Sequence, residues 1–186
     1  KRILMLNIYD DVFDKQWLDE VSAILSKEPW YADNIANRKT WPYGNKGSHL
    51  LLGNTYFQRF SEDKINYNNN KNFTNSLIDA FNQIKKVSNK NLKLIEISSN
   101  LQFAGMDGTL HIDGTDDHVV YILMMCNENL TENIGGEFYH KTSDTKVPFA
   151  YGRLIEQSGT DLHRGFAFNK PHIARFSIKW VGKKWT

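Results

Sequence analysis

At 186 residues the chain is long enough to bury one substantial core, so one domain with one site is expected. Its 23 basic and 21 acidic residues leave a formal charge of +2, which offers no global field for nucleic acid or for an anionic membrane surface. Hydrophobic residues make up 40% and charged residues 24%, ordinary globular proportions, and no apolar run approaches the roughly 18 residues of a membrane span.

Residues 2–9 read as a strand. Asp14 is placed to cap a helix over residues 14–27, with Trp17, Val21 and Leu25 on one face at i, i+4, i+8 and Pro29 beyond its end. Between residues 31 and 61 aromatic, glycine and basic residues mix without helical period, which indicates loops and short strands. Trp41, Tyr43, Lys46 and His49 lie among glycines here, so residues 38–59 are the expected substrate lid, although Trp41 and Tyr56 also fit simple packing against the core. The tract KINYNNNK reads as an Asn-rich surface loop. A second helix is expected over residues 73–87, where Phe73, Leu77, Phe81 and Ile84 share a face.

Beyond Asn91 the pattern changes to short β-type runs: LKLIEIS, NLQFAG, TLHID, HVVYILMM, GGEFYH, GRLIEQ, HRGFAF and HIARFSIKW. Strands this closely spaced, with no helices between them, predict a mainly β sandwich or jelly roll with the N-terminal helices packed on one face. Residues 1–90 would then supply helical support and substrate loops, and residues 91–182 the β core. The single Cys126 lies in the apolar run VVYILMMC and cannot form an internal disulfide, so it reads as a core residue. With no small-residue cleavage site near the N-terminus, a cytoplasmic location is expected.

Chemistry concentrates at His111-Ile112-Asp113. On an extended segment residues i and i+2 point the same way, so this tripeptide offers two adjacent ligand-type side chains. A second histidine would complete a facial set of two His and one carboxylate, which leaves positions open on an octahedral metal. His163, which begins HRGFAF, is the preferred third ligand over His49, His118, His140 and His172. Read alone, H-x-D also fits a turn in which Asp113 caps Gly114. In HIARFSIKW, Ile173, Arg175, Ser177 and Lys179 share one face, so Arg175 and Ser177 can grip one carboxylate; Arg175 on an exposed sheet face is the plainer alternative.

Taken in order, LHID, the strand YILMMCN, the Gly135-Gly136 turn, GRLIEQSGTDLH and ARFSIKW resemble the prolyl 4-hydroxylase-like branch of the 2-oxoglutarate/Fe(II) dioxygenase superfamily, over residues 97–182. The resemblance implies a double-stranded β-helix of the cupin-like type, with Fe(II) held by His111, Asp113 and His163. It also implies 2-oxoglutarate bound at its distal carboxylate by Arg175, beside Ser177 on the same face, and O₂ as the second co-substrate. Tyr121 would add a hydroxyl to that carboxylate, although it also fits as a core tyrosine. Gln102 stands near the place where the family often carries a tyrosine, and the spacing from His163 to Arg175 is slightly long for the family.

The implied reaction hydroxylates a C–H bond, most readily of a prolyl or other residue in a peptide or protein, and releases succinate and CO₂; ascorbate is an optional additive. Two other readings stay open: a nucleobase dioxygenase with the same iron site, and a jelly-roll binding or structural module without catalysis. No membrane partner is expected, and the sequence leaves the oligomeric state unknown.

Overall fold

The structure, a computed structural model, describes residues 5–31, 51–128, 130 and 132–185. Its first strand, β1 (Leu6–Tyr9), precedes helix α1 (Lys15–Leu25). The helix starts where the sequence predicts, because the Asp14 carboxylate accepts the Trp17 N–H over 2.8 Å and satisfies a donor that has no partner within the first turn. Its buried stripe is Leu18, Val21, Ser22 and Leu25; Trp17 sits at the margin, stacked on Phe13 at 4.4 Å and donating its indole N–H to Ser76. Strands β2 (Leu52–Arg59) and β3 (Ile65–Tyr67) form an antiparallel pair ahead of α2 (Lys71–Val87). The Asn-rich tract is therefore not all loop: Ile65–Tyr67 pairs with β2, and Asn70 caps α2 through the Phe73 N–H. Of the expected lid, Trp41, Tyr43, Lys46 and His49 lie outside the described residues.

The remaining strands are β4 (Leu92–Gln102), β5 (His118–Cys126), β6 (Phe138–His140), β7 (Thr145–Val147), β8 (Leu154–Ser158), β9 (His163–Gly165) and β10 (Arg175–Lys184). LKLIEIS and NLQFAG prove to be one continuous strand, β4. The short β7 has no clear sequence signal, because TKV offers only three residues. All named pairings are antiparallel, in a seven-stranded sheet ordered β1-β8-β5-β10-β4-β2-β3 and a three-stranded sheet ordered β7-β6-β9. This is the expected mainly β, double-stranded β-helix architecture. Strands β1 and β2 fall in stretches where strands were expected and β3 is the addition; together they extend the large sheet at both ends.

Alternation along the strands divides the molecule into layers. Tyr121, Leu123, Ile97, Ile178 and Trp180 face the helices, where Leu77, Phe81 and Ile84 complete the main core and the Trp180 indole donates to Leu77 O. Burying each large apolar side chain of this layer contributes about 1.5–3 kcal/mol. The opposite face of the large sheet presents Val120, Ile122, Met124, Ile155 and Val181 to Phe138 and Val147 of the small sheet. Among the described residues no helix is long and apolar enough to cross a membrane.

Candidate metal centre

The segment carrying His111 runs beside β9. His111 N–H donates to His163 O and His163 N–H to His111 O, each over 3.0 Å, while Gly108 N–H donates to Gly165 O. Directly opposed residues of an antiparallel pair project to the same side, so the two imidazoles meet with ring centroids 4.4 Å apart. Asp113 and Gly114 both donate their N–H to Gly159 O, which fixes the far end of the tripeptide. His111, Asp113 and His163 thus bring one donor atom each to within 4.8 Å of one another, the one such cluster of three or more His, Cys, Asp or Glu among the described residues.

The donor chemistry fits a cation. His111 Nδ1 lies 2.7 Å from Thr109 O, and His163 Nδ1 lies 2.9 Å from Asp161 O and 2.8 Å from the Gln157 amide. Protons on Nδ1 donate to those carbonyls and leave Nε2 of each ring as a lone pair. Turning the Gln157 amide brings its buried Oε1, which otherwise has no partner, to face His163 Nδ1–H. His163 Nε2 then stands 3.1 Å from Asp113 Oδ2, and that buried oxygen has no hydrogen-bond partner. A lone pair facing a carboxylate oxygen is repulsive without a cation between them, and ligands at about 2.1 Å from one metal at right angles stand about 3 Å apart.

Burial, then the neighbouring His163, pushes His111 down to about 4, so its ring is neutral and ready to ligate at neutral pH. Burial by itself would raise the Asp113 carboxyl; the Lys179 ammonium, with His163 and His111, outweighs it and holds the group well below the usual carboxylate range. Lys179 Nζ stands 2.9 Å from Asp113 Oδ1 and 3.2 Å from Glu96.

Arg175 lies on the same inner face of β10 and is 2% exposed. Its Nε donates to Gly136 O over 3.0 Å and its Nη1 to Gln102 Oε1 over 2.7 Å, while the guanidinium lies flat over Gly165. Gly136 must be glycine, with φ +82 and a would-be Cβ 2.3 Å from the Phe168 ring, so the conformation that aims its carbonyl at Arg175 excludes other residues. Burial pulls Arg175 down to about 10 against the pull of Glu137 and Asp107, which still leaves it charged at neutral pH. Ser177 follows on the same face, buried opposite Asn100 and Met124.

Tyr121 is not part of this site. It pairs with Trp180 in register, so it points under the helices, and its hydroxyl donates to Ser88 Oγ at the end of α2. The inner face of β5 is formed instead by Val120, Ile122 and Met124. The plain core reading of Tyr121 is the correct one. Of the competing histidines, His140 sits opposite His163 with Nδ1 on Ser143 and Nε2 3.2 Å from Asp161. His118 Nδ1 faces Thr115 N–H, His172 is exposed, and His49 lies outside the described residues. Sequence reasoning missed Thr109, Gln157, Asp161 and Gly165, and it put Lys179 on the face of Arg175 without its pairing to Asp113. Only Gly165 carries a readable signal, since it shares a strand face with His163 two residues earlier.

No family model matches the chain, and no curated protein does. Its fold is similar to that of a 2OG-Fe(II) oxygenase family oxidoreductase from Burkholderia pseudomallei, with a TM-score of 0.70 at 13% identity, over 96% of this chain and 85% of that one. It is also similar to a Pseudomonas putida prolyl-4-hydroxylase, with a TM-score of 0.61 at 12% identity over 98% and 94% of the two chains. A prolyl hydroxylase from Trichoplax adhaerens in complex with a hypoxia inducible factor peptide fragment gives a TM-score of 0.61 at 12% identity over 96% and 83%. The fold is that of the 2-oxoglutarate/Fe(II) oxygenases, as the motif resemblance implies.

Proposed function

We propose that this chain is a single-domain Fe(II)- and 2-oxoglutarate-dependent dioxygenase that hydroxylates a C–H bond, with release of succinate and CO₂. The observation that carries the reading is the convergence of His111, Asp113 and His163 around the unpartnered Asp113 Oδ2, with Arg175 buried on the adjoining inner face. His111 Nε2, His163 Nε2 and Asp113 Oδ2 would hold the metal. Bound there, Fe(II) would supply electrons to O₂ and couple decarboxylation of the keto acid to oxidation of the substrate. Arg175 would hold the distal carboxylate of 2-oxoglutarate through the guanidinium hydrogens that Gly136 and Gln102 leave unused, and the Ser177 hydroxyl lies next along the strand. Val120, Ile122 and Met124 on the neighbouring strand β5, with Phe138 on the facing sheet, exclude water beside this row, which strengthens each of these charge contacts.

A prolyl or other residue in a peptide is the substrate class we favour. The prolyl hydroxylase folds above, one of them holding a peptide fragment, support it, and the charge of +2 gives no counter-argument from nucleic acid. The test incubates the protein with Fe(II), 2-oxoglutarate and ascorbate in air and measures succinate without prime substrate. Slow turnover is expected, abolished by His111→Ala and by Asp113→Ala. Equal succinate from wild type and both variants would sink the assignment.

A further inference from the structure

Lys179 follows Ser177 on the inner face of β10 and is the third cation-or-hydroxyl residue in the row Arg175, Ser177, Lys179. The first two are accounted for by the co-substrate. Lys179 is turned elsewhere: its ammonium is shared between Asp113 Oδ1 at 2.9 Å and Glu96 Oε1 at 3.2 Å, and Ser98 Oγ donates to the same Glu96 oxygen over 3.0 Å. The Asp113 side chain is only 8% exposed and that of Lys179 20%, so the pair is shielded from water and the ammonium has little freedom to leave. The two oxygens of Asp113 are consequently unequal. Oδ1 is engaged by a cation of the protein, while Oδ2 is buried, unpartnered and turned to His163 Nε2 at 3.1 Å.

A carboxylate can bind a metal through one oxygen or through both, and the choice changes how many positions remain on an octahedral ion. With two imidazoles already bound, a chelating carboxylate removes the position that a bidentate keto acid plus O₂ would need. We propose that Lys179 is a positioning residue that keeps Asp113 a one-oxygen ligand, holding Oδ1 away from the metal so that the co-substrate's coordination positions stay open. The inference rests on reading the site as an Fe(II)/2-oxoglutarate centre.

Two consequences follow, and they have opposite signs. An ammonium beside the ligand carboxylate repels a divalent cation and withdraws an oxygen from it, so Lys179 weakens binding of the metal alone. The same ammonium favours a dianionic co-substrate and preserves its places on the metal, so it strengthens 2-oxoglutarate binding. A residue that merely supported the fold would move both affinities in the same direction.

The experiment uses the full chain with Lys179→Met, which keeps the stem and removes the charge, beside Lys179→Arg, which keeps the charge and its donors. Co(II) alone is titrated first, followed by its visible absorption, whose intensity also reports coordination number. 2-Oxoglutarate is then titrated into the Fe(II)-loaded protein without O₂, read by the charge-transfer absorption of the chelated keto acid. The Met variant is expected to bind Co(II) about tenfold more tightly and 2-oxoglutarate about tenfold more weakly, the scale set by removing one charge from a shielded site. The Arg variant should stay close to wild type in both. A Met variant that weakens both affinities, or changes neither, overturns the proposal. Should Lys179→Met fail to fold, Lys179→Gln carries the same expectation, with a polar end toward Glu96 and no charge. Wild-type protein that binds neither Co(II) nor 2-oxoglutarate would remove the dioxygenase reading itself. Wild type that binds both, beside an indistinguishable Met variant, removes this inference alone.

Discussion

Gly165→Ala tests the co-substrate assignment without touching a ligand or the arginine. A Cβ built on Gly165 would stand 3.3 Å from both Nη1 and Nη2 of Arg175 and 3.4 Å from Cζ, closer than ordinary contact allows. The side chain has little room to give way, because Nε is tied to Gly136 O and Nη1 to Gln102 Oε1 in a buried setting. Gly165 has no left-handed φ to lose, so the added methyl acts through space and not through backbone strain. A displacement of a few tenths of an ångström sacrifices the alignment of one charge-assisted hydrogen bond, worth about 1.5–3 kcal/mol, which is about 10- to 150-fold in affinity for the carboxylate. The assay is succinate formation against 2-oxoglutarate concentration. The Michaelis constant for 2-oxoglutarate should rise by at least about tenfold while the rate at saturation changes little, since the metal ligands do not move. A constant within about twofold of wild type would refute the argument, and with it the claim that the guanidinium over Gly165 is the carboxylate grip.

Stability of the metal-free protein should depend on pH through His111. Its folded value of about 4 lies below the ordinary 6.5, so the unfolded chain binds the proton more readily. The stabilisation is present above pH 6.5 and is lost as pH falls toward 4, by up to about 3 kcal/mol. Urea unfolding at pH 7, 5.5 and 4.5 measures the slope; His111→Gln should flatten it, and an unchanged slope counts against a neutral buried His111. In the helical layer, Leu77 is fully buried, and Leu77→Ala should cost about 2–5 kcal/mol by urea unfolding. A loss below about 1 kcal/mol would mean that α2 contributes little packing to the sheet.

Much of the fold was legible from apolar spacing on the helices and from the short β-type runs beyond Asn91. The stripes of α1 and α2 and the two faces of β10 follow directly from residue spacing, and the Asp14 cap is chemically specific. The His111 and Asp113 pair was equally readable, since period two decides it. His163 was legible only through chain order and resemblance. Its physical basis is a reciprocal backbone pair with His111, a contact between distant segments that no local pattern announces. Tyr121 misled because a strand buried on both faces, VVYILMM, has no polar side to mark which parity enters the barrel. Its register against β10 decides that, and it pairs Tyr121 with Trp180 under the helices. The partners that set histidine tautomers were illegible for another reason: Thr109 and Asp161 act there through backbone carbonyls, which carry no sequence identity.

The same register supports the proposed division of the site into a metal end and a carboxylate end. On β10, Arg175, Ser177 and Lys179 face Gln102, Asn100 and Ser98 of β4, so one wall between the sheets is polar from end to end. The adjoining β5 and β8 present Val120, Ile122, Met124 and Ile155, an apolar wall. On the proposed reading, a dicarboxylate lying over this sheet would meet cations on the β10 side only, which would fix its rotation about its long axis. Its direction is fixed by β9, where His163 belongs to the donor cluster and Gly165, about 7 Å further along the strand, lies under the Arg175 guanidinium. That separation suits a short dicarboxylate chelated at one end and gripped at the other. On this reading a monocarboxylate keto acid would reach the ligands and leave the guanidinium hydrogens not taken by Gly136 and Gln102 without an acceptor. Selectivity for a second carboxylate, if Arg175 is the grip, would then come from its burial as much as from its charge.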